Sequence, residues 1–170
     1  MQVRALSGRT YPVVMPLRPR RGVRPRTSTT GPHCQLDQQA PPELWGRLVY
    51  EAFRLPHVVE GRSQVSPAAS RALLLDDVER SSAPEASLAY EPPAEPAHLH
   101  GVTDTSMHLC LPAQRAKEVC DAGWGEPHGY ADHDTEIMVY GPRDDAELVV
   151  VLALLSESVT FARYPDGSHA

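Results

Sequence analysis

The stretch AHLHGVTDTSMHLCL, residues 97–111, carries the reading that decides the fold. Ala97 to His100 and Ser106 to Leu111 each alternate in polarity, and the five residues between them, GVTDT, hold the Gly, Thr and Asp that suit a hairpin loop. Two antiparallel strands follow. With the loop at Gly101 to Thr105, pairing runs 100 with 106 and 98 with 108, so His98 and His108 face each other across the strands. His100 lies two residues from His98, and Cys110 two from His108, which puts all four on one face of the sheet. A slip of one residue would separate them, because the side-chain period is two.

Downstream, Pro112 suits a first helical turn. Ala113, Ala116, Val119 and Cys120 form its apolar stripe, and Gly123 stands where a left-handed cap belongs. Ile137 to Tyr140 read as another strand, closed by Gly141 and Pro142. Asp144 and Glu147 then have capping-box spacing, and Leu148, Leu152, Leu155 and Val159 make a stripe widened by Val149 to Val151. A buried final helix is expected there. Upstream, Pro41 and Pro42 open a helix carrying Leu44, Trp45, Leu48, Val49 and Phe53, which Leu55-Pro56 ends. Arg71 to Leu75 (RALLL) reads as a buried strand, and the four prolines of residues 81–96 as a loop. This order of elements predicts an α+β fold: one domain, a small antiparallel or mixed sheet, and helices packed on one face.

Residues 1–41 differ in character. Seven arginines and no acid occupy residues 1–36, although the chain's net charge is −6. Rich in Pro and Arg and without periodicity, the segment reads as a disordered leader that buries too little apolar surface to offset its ordering entropy. It lacks the interleaved aromatics or basic helix of a nucleic-acid arm, so no nucleic-acid partner is expected. The domain is placed at 42–164, with a tail at 165–170. The longest strongly apolar run, Leu148 to Leu155, is far short of the roughly 20 residues a bilayer span needs. Cys34, Cys110 and Cys120 have no metal-type spacing, and no secretory leader is visible, so a reducing cytoplasmic setting is expected. Cys110 and Cys120 fall in apolar patterns and read as core.

Chemistry rests on the histidines. His98, His100 and His108 share one strand face, and His128 lies just past the Trp124-Gly125 corner. Neutral imidazoles so placed could hold zinc, iron or copper, with His98, His100 and His108 as the ligand set. They could equally act without metal, one as a general base on an acidic enol and another as donor to the developing anion. A third reading leaves them as half-buried polar groups satisfied by backbone, Asp104 or Glu95. Asp132, Asp134 and Glu136 around His133 read as a solvated turn. No nucleophile elbow, P-loop or dinucleotide fingerprint is present.

Several motifs come in order. An Ala-His-x-His segment (97–100) precedes a Ser-x-His-Leu-x-Leu strand (106–111) and a Lys-Glu-Val helix (117–119). A Gly-Trp-Gly-x-x-His corner (123–128), a Tyr-x-Pro-Arg turn (140–143) and a closing apolar helix follow. In this the sequence resembles the luciferase-like domain family, which includes the luciferase of bioluminescent fungi and bacterial proteins. The resemblance is strongest over 94–162. It implies oxidation of an enolised aromatic or pyrone-like small molecule, with molecular oxygen as co-substrate and no metal or organic cofactor. It also implies His98, His100, His108 and His128 as the catalytic set, with Glu95, Trp124 and Tyr140 contacting substrate. The sequence departs from the family at Ala94, where Arg is usual, and at Pro96, which replaces an apolar residue; its basic polar leader stands where the fungal proteins carry an apolar anchor. Light emission is not expected. The competing functions are a non-catalytic module binding a small molecule or protein through the same concavity, and a histidine-cluster metal-binding protein. Oligomeric state is not legible.

Overall fold

The computed structural model describes residues 2–4, 10–12, 17–77, 84–129 and 133–166. The expectations for residues 81–83 and Asp132, and for most of the tail, lie outside the described residues. Gln2–Arg4 (β1) and Thr10–Pro12 (β2) pair as a small antiparallel ribbon. Helix α1, Pro42–Ala52, is followed by strands β3 (Val58–Arg62), β4 (Arg71–Leu75), β5 (Ala97–Leu99) and β6 (Met107–Cys110). Helix α2 (Ala113–Asp121), strands β7 (Gly125–Pro127) and β8 (Glu136–Val139), and helix α3 (Asp145–Arg163) complete the chain. Strands β3 to β8 form one sheet in the order β3-β4-β5-β6-β8-β7, antiparallel at every pairing. The fold is α+β. No helix among the described residues is long and apolar enough to cross a membrane.

Alternation divides the sheet into two faces. Leu73, Leu75, Ala97, Leu99, Met107, Leu109, Ile137 and Val139 join Leu48 of α1, Val119 of α2, and Val151, Leu152 and Leu155 of α3 in one core. Each fully buried aliphatic side chain contributes about 1.5–3 kcal/mol, so the helix-facing side holds the fold together. The other face carries His98 and His108. Helix α3 is buried nearly all round from Val151 to Thr160, as expected for a helix with apolar residues outside its main stripe. Its polar members are satisfied in place: Ser158 Oγ donates to the Pro96 carbonyl at 2.8 Å, and Glu157 accepts from Arg115 Nε and Nη2 at 2.7 and 2.9 Å.

The punctuation of the chain follows its local chemistry. Gly123 adopts φ +81° past the end of α2, and its N–H bonds the Cys120 carbonyl while Trp124 N–H bonds that of Val119. This paired closure is a Schellman cap. Asp144 Oδ1 accepts from Glu147 N–H at 2.9 Å and caps α3 as its spacing predicts. The Glu147 carboxylate does not return to Asp144, however; it turns to Arg20 and Arg143. Strand β3 was not anticipated. An edge strand with no fully buried residue, it is fixed by pairing with β4 and by the Glu60–Arg71 ion pair at 2.6 Å, neither of which shows as an apolar run.

The leader reading needs correction over residues 17–41. These residues form no helix or strand, as their composition suggests, yet they pack on the domain. Arg20 N–H bonds the Ala122 carbonyl, Trp124 Nε1 donates to the Arg18 carbonyl at 2.8 Å, and Gly141 N–H donates to Gln35 Oε1 at 2.9 Å. Polar bonds rather than apolar area fasten the segment, so hydrophobic patterning does not register it.

Candidate functional site

The registers place one row of residues straight across the sheet: Gly61, Ala72, His98, His108, Met138 and Glu126. The pairing of His98 with His108 is the one the hairpin loop predicts. Small residues at Gly61 and Ala72 and large ones at the centre set the two imidazoles side by side. His108 lies at the middle of a cluster, its ring centroid 5.0 Å from that of His98, 4.7 Å from His100, 4.3 Å from His128 and 5.5 Å from His33.

A directed chain of bonds runs through this row. Glu95, fully buried, accepts from Ser63 Oγ at 2.7 Å and from Gln64 N–H at 3.1 Å, and its Oε1 lies 2.9 Å from His98 Nδ1. His98 Nε2 lies 3.1 Å from His108 Nδ1. A carboxylate only accepts, so His98 carries its proton on Nδ1 and presents a lone pair at Nε2. His108 must then donate from Nδ1. Its Nε2 keeps the bare lone pair, buried and without a hydrogen-bond partner among the described residues.

The other imidazoles are held in similar fashion. His100 Nδ1 contacts Asp104 Oδ2 at 2.6 Å and Ser106 Oγ at 3.1 Å. His128 Nδ1 lies 3.2 Å from Glu136 Oε1. His33, buried and contributed by the amino-terminal segment, sets Nε2 2.6 Å from Glu126 Oε1. Burial lowers the pKa of His108 well below the usual range, and the neighbouring imidazoles lower it further. Burial likewise holds His98 low despite Glu95 and brings His128 down to about 4. Burial therefore holds His98, His108 and His128 as neutral bases. Asp104 is lowered to about 2 because hydrogen bonds from His100 and Ser106 outweigh the upward push of burial.

The rings open on a cavity of about 320 Å³ lined by His33, His98, His100, His108, His128 and Glu136, with Val65, Leu88 and Tyr90 on its apolar side. Its size suits a small organic ligand. Residues 93–158 match the Luciferase domain family. Over 73 residues the chain is 38% identical to the luciferases of Armillaria gallica and Armillaria mellea, and 37% identical to that of Neonothopanus nambi. These alignments take in 39% of this chain and 27% of each relative, so the chain spans about a quarter of the length of the relatives it matches. No solved structure matches the chain.

The luciferase-like segment thus supplies four of the five imidazoles, and all four that the sequence brings forward line the cavity. Glu95, Trp124 and Tyr140, expected to contact substrate, are not among its lining residues. Glu95 sits behind His98. Tyr140 Oη donates to Glu126 Oε2 at 2.8 Å and so braces the partner of His33. Trp124 fastens the amino-terminal segment through Arg18. Three residues escape the sequence reading: His33, which lies in an aperiodic segment outside the luciferase-like match, Glu126, and Glu136, which reads as part of a solvated turn. Only the repeated pairing of a histidine with a glutamate could have signalled them. The cysteines behave as core, since burial raises Cys110 well above its ordinary value and Cys120 to about 11.

Proposed function

We propose that the histidine-lined cavity binds an enolisable aromatic or pyrone-like small molecule and catalyses its oxidation by molecular oxygen. The observation that carries this reading is the Glu95–His98–His108 chain, which leaves His108, a residue of the cavity lining, with a buried basic nitrogen at Nε2. Nε2 takes the proton of the enol, and the His108 imidazolium so formed offers its Nε2–H and its positive charge to the enolate oxygen. The electron-rich carbon of the enolate then reduces oxygen, forming a carbon–oxygen bond, and the proton returns from Nε2 to the peroxide anion. Substrate and oxygen combine to a hydroperoxide with no atom left over. The likeness to fungal luciferases supports oxygen as the co-substrate, and light output is not part of this reading.

Oxygen uptake by the purified chain, measured with a panel of hydroxylated pyrones and other enolisable aromatics, tests it. Uptake with at least one compound is expected, abolished in His108→Ala. Compounds that bind without any uptake would overturn the oxygenase reading in favour of a binding module.

A further inference from the structure

We propose that His33, His108 and His128 form a binding site for one divalent transition-metal ion, completed by the amino-terminal segment. One ring nitrogen from each lies within 4.8 Å of the others. Two of these residues keep an unpartnered, buried nitrogen among the described residues, Nδ1 of His33 and Nε2 of His108. Orphaned buried acceptors are rare and call for a ligand.

Tautomers favour this set. On His33 the Nε2–H donates to the Glu126 carboxylate, so Nδ1 is the nitrogen left to supply a lone pair to an ion. On His108 the relay through His98 to Glu95 fixes the proton on Nδ1 and the lone pair on Nε2. His128 has Glu136 3.2 Å from its Nδ1. Carboxylates set behind imidazoles are the arrangement that orients histidine ligands and raises their basicity. Glu126 is itself braced: burial raises its pKa, but hydrogen bonds from His33, Tyr140 and Thr27 leave it lowered.

The alternative set of His98, His100 and His108 is also close enough, but His98 has no lone pair to spare. Both nitrogens of His98 are engaged by Glu95 and His108, and His100 Nδ1 is held by Asp104 and Ser106. Binding there would break the relay. The donor type, three neutral imidazoles and no thiolate, selects zinc, iron or cobalt over calcium or magnesium. With bonds of about 2.0–2.1 Å the three ligands leave a position open to the cavity, where a substrate oxygen can sit. The ion and a proton compete for His108 Nε2, so this inference shares the cavity of the proposed oxygenase but does not depend on its reaction.

The test is equilibrium titration of the chelator-treated full chain with Zn²⁺, with the absorption spectrum of bound Co²⁺ as a second readout. One ion per chain is expected. His33→Ala and His128→Ala should each weaken binding at least 100-fold, Glu126→Gln about 10- to 100-fold, and His57→Ala, at an exposed cluster, not at all. Circular dichroism checks that each variant is folded. Absence of zinc binding at 100-fold molar excess overturns the proposal, as does affinity unchanged by His33→Ala or lost to the same degree in His100→Ala. Oxygen uptake by the same chelator-treated protein separates the two readings. Zinc binding without uptake by either metal-free or metal-loaded protein leaves the metal site standing and removes the oxygenase; uptake without zinc binding does the reverse.

Discussion

Arg20 and Glu147, 127 residues apart in sequence, form a buried ion pair with Nη2 and Oε2 separated by 3.0 Å. Arg20 also donates to the Gly141 carbonyl and lies over the rings of Trp124 and Tyr140, at 5.9 and 5.4 Å from their centroids. Composition alone leads to the expectation that residues 1–40 can be deleted without harm. The bonds made by this segment lead to the opposite expectation. Deletion strips Glu147 of one of its two guanidinium partners and removes His33 from the cavity wall. A loss of about 3–5 kcal/mol is expected, the range for breaking a buried pair, measured by urea denaturation of the truncated chain. A change under about 1 kcal/mol would show that the segment does not hold the fold.

Glu147 should make stability depend on acid. Burial raises its pKa, but hydrogen bonds from Arg143 and the charge of Arg20 outweigh this and leave it lowered. A carboxyl with a depressed folded pKa contributes stability that is present above its unfolded value, about 4.3, and is lost as pH falls through the folded value. Wild type should therefore exceed Glu147→Gln in stability at pH 7, and the gap should close below about pH 4.3. Denaturation curves of both proteins between pH 7 and 3 measure this; a gap that widens in acid contradicts it.

Leu152 is buried to 1% exposure at the centre of α3, within the sheet-facing core. Leu152→Ala should cost about 2–5 kcal/mol through lost transfer energy and the cavity left behind. Thermal and chemical denaturation should agree on the loss. A cost under about 1 kcal/mol would mean that the face is not a core.

Glu95→Gln should damage chemistry more than folding. In the native site Oε2 meets Gln64 N–H, and Oε1 meets both Ser63 Oγ and His98 Nδ1. An amide has one acceptor oxygen. The fixed Gln64 N–H claims it, which turns the NH₂ group on His98 and forces that ring to the other tautomer. The relay then no longer directs a lone pair from His108. Oxygen uptake with an accepted substrate should fall about 10²- to 10⁴-fold, the scale of a lost general base, while the melting temperature moves by a few degrees. Unchanged uptake would remove Glu95 and the relay from the mechanism.

Local chemistry made much of this protein legible in its sequence. The five-residue loop set the register that pairs His98 with His108, because side chains alternate with period two and only one pairing buries both apolar sets. Gly123 and Asp144 marked the end of α2 and the start of α3, since backbone geometry at a helix terminus depends on the residue there. The run from Leu148 to Val159 announced a buried helix. Each of these signals lies within about fifteen residues of chain.

Only the tertiary structure could place His33, Glu126 and Glu136 at the site, or show that Arg20 is held by Glu147. For His33, Glu126 and Arg20 the meaning lies in partners remote in sequence: 93 residues separate His33 from Glu126, and 127 separate Arg20 from Glu147. Hydrogen bonds and ion pairs need two complementary groups at one distance and angle, and a sequence gives each group without the other. Apolar burial, in contrast, is non-directional and leaves a periodic trace in the chain. Periodicity and punctuation therefore determined four of the six strands of the sheet, its helices and the pairing of His98 with His108. The fold alone decided that Glu126 and Glu136 stand behind His33 and His128, and which nitrogen of each imidazole keeps a lone pair.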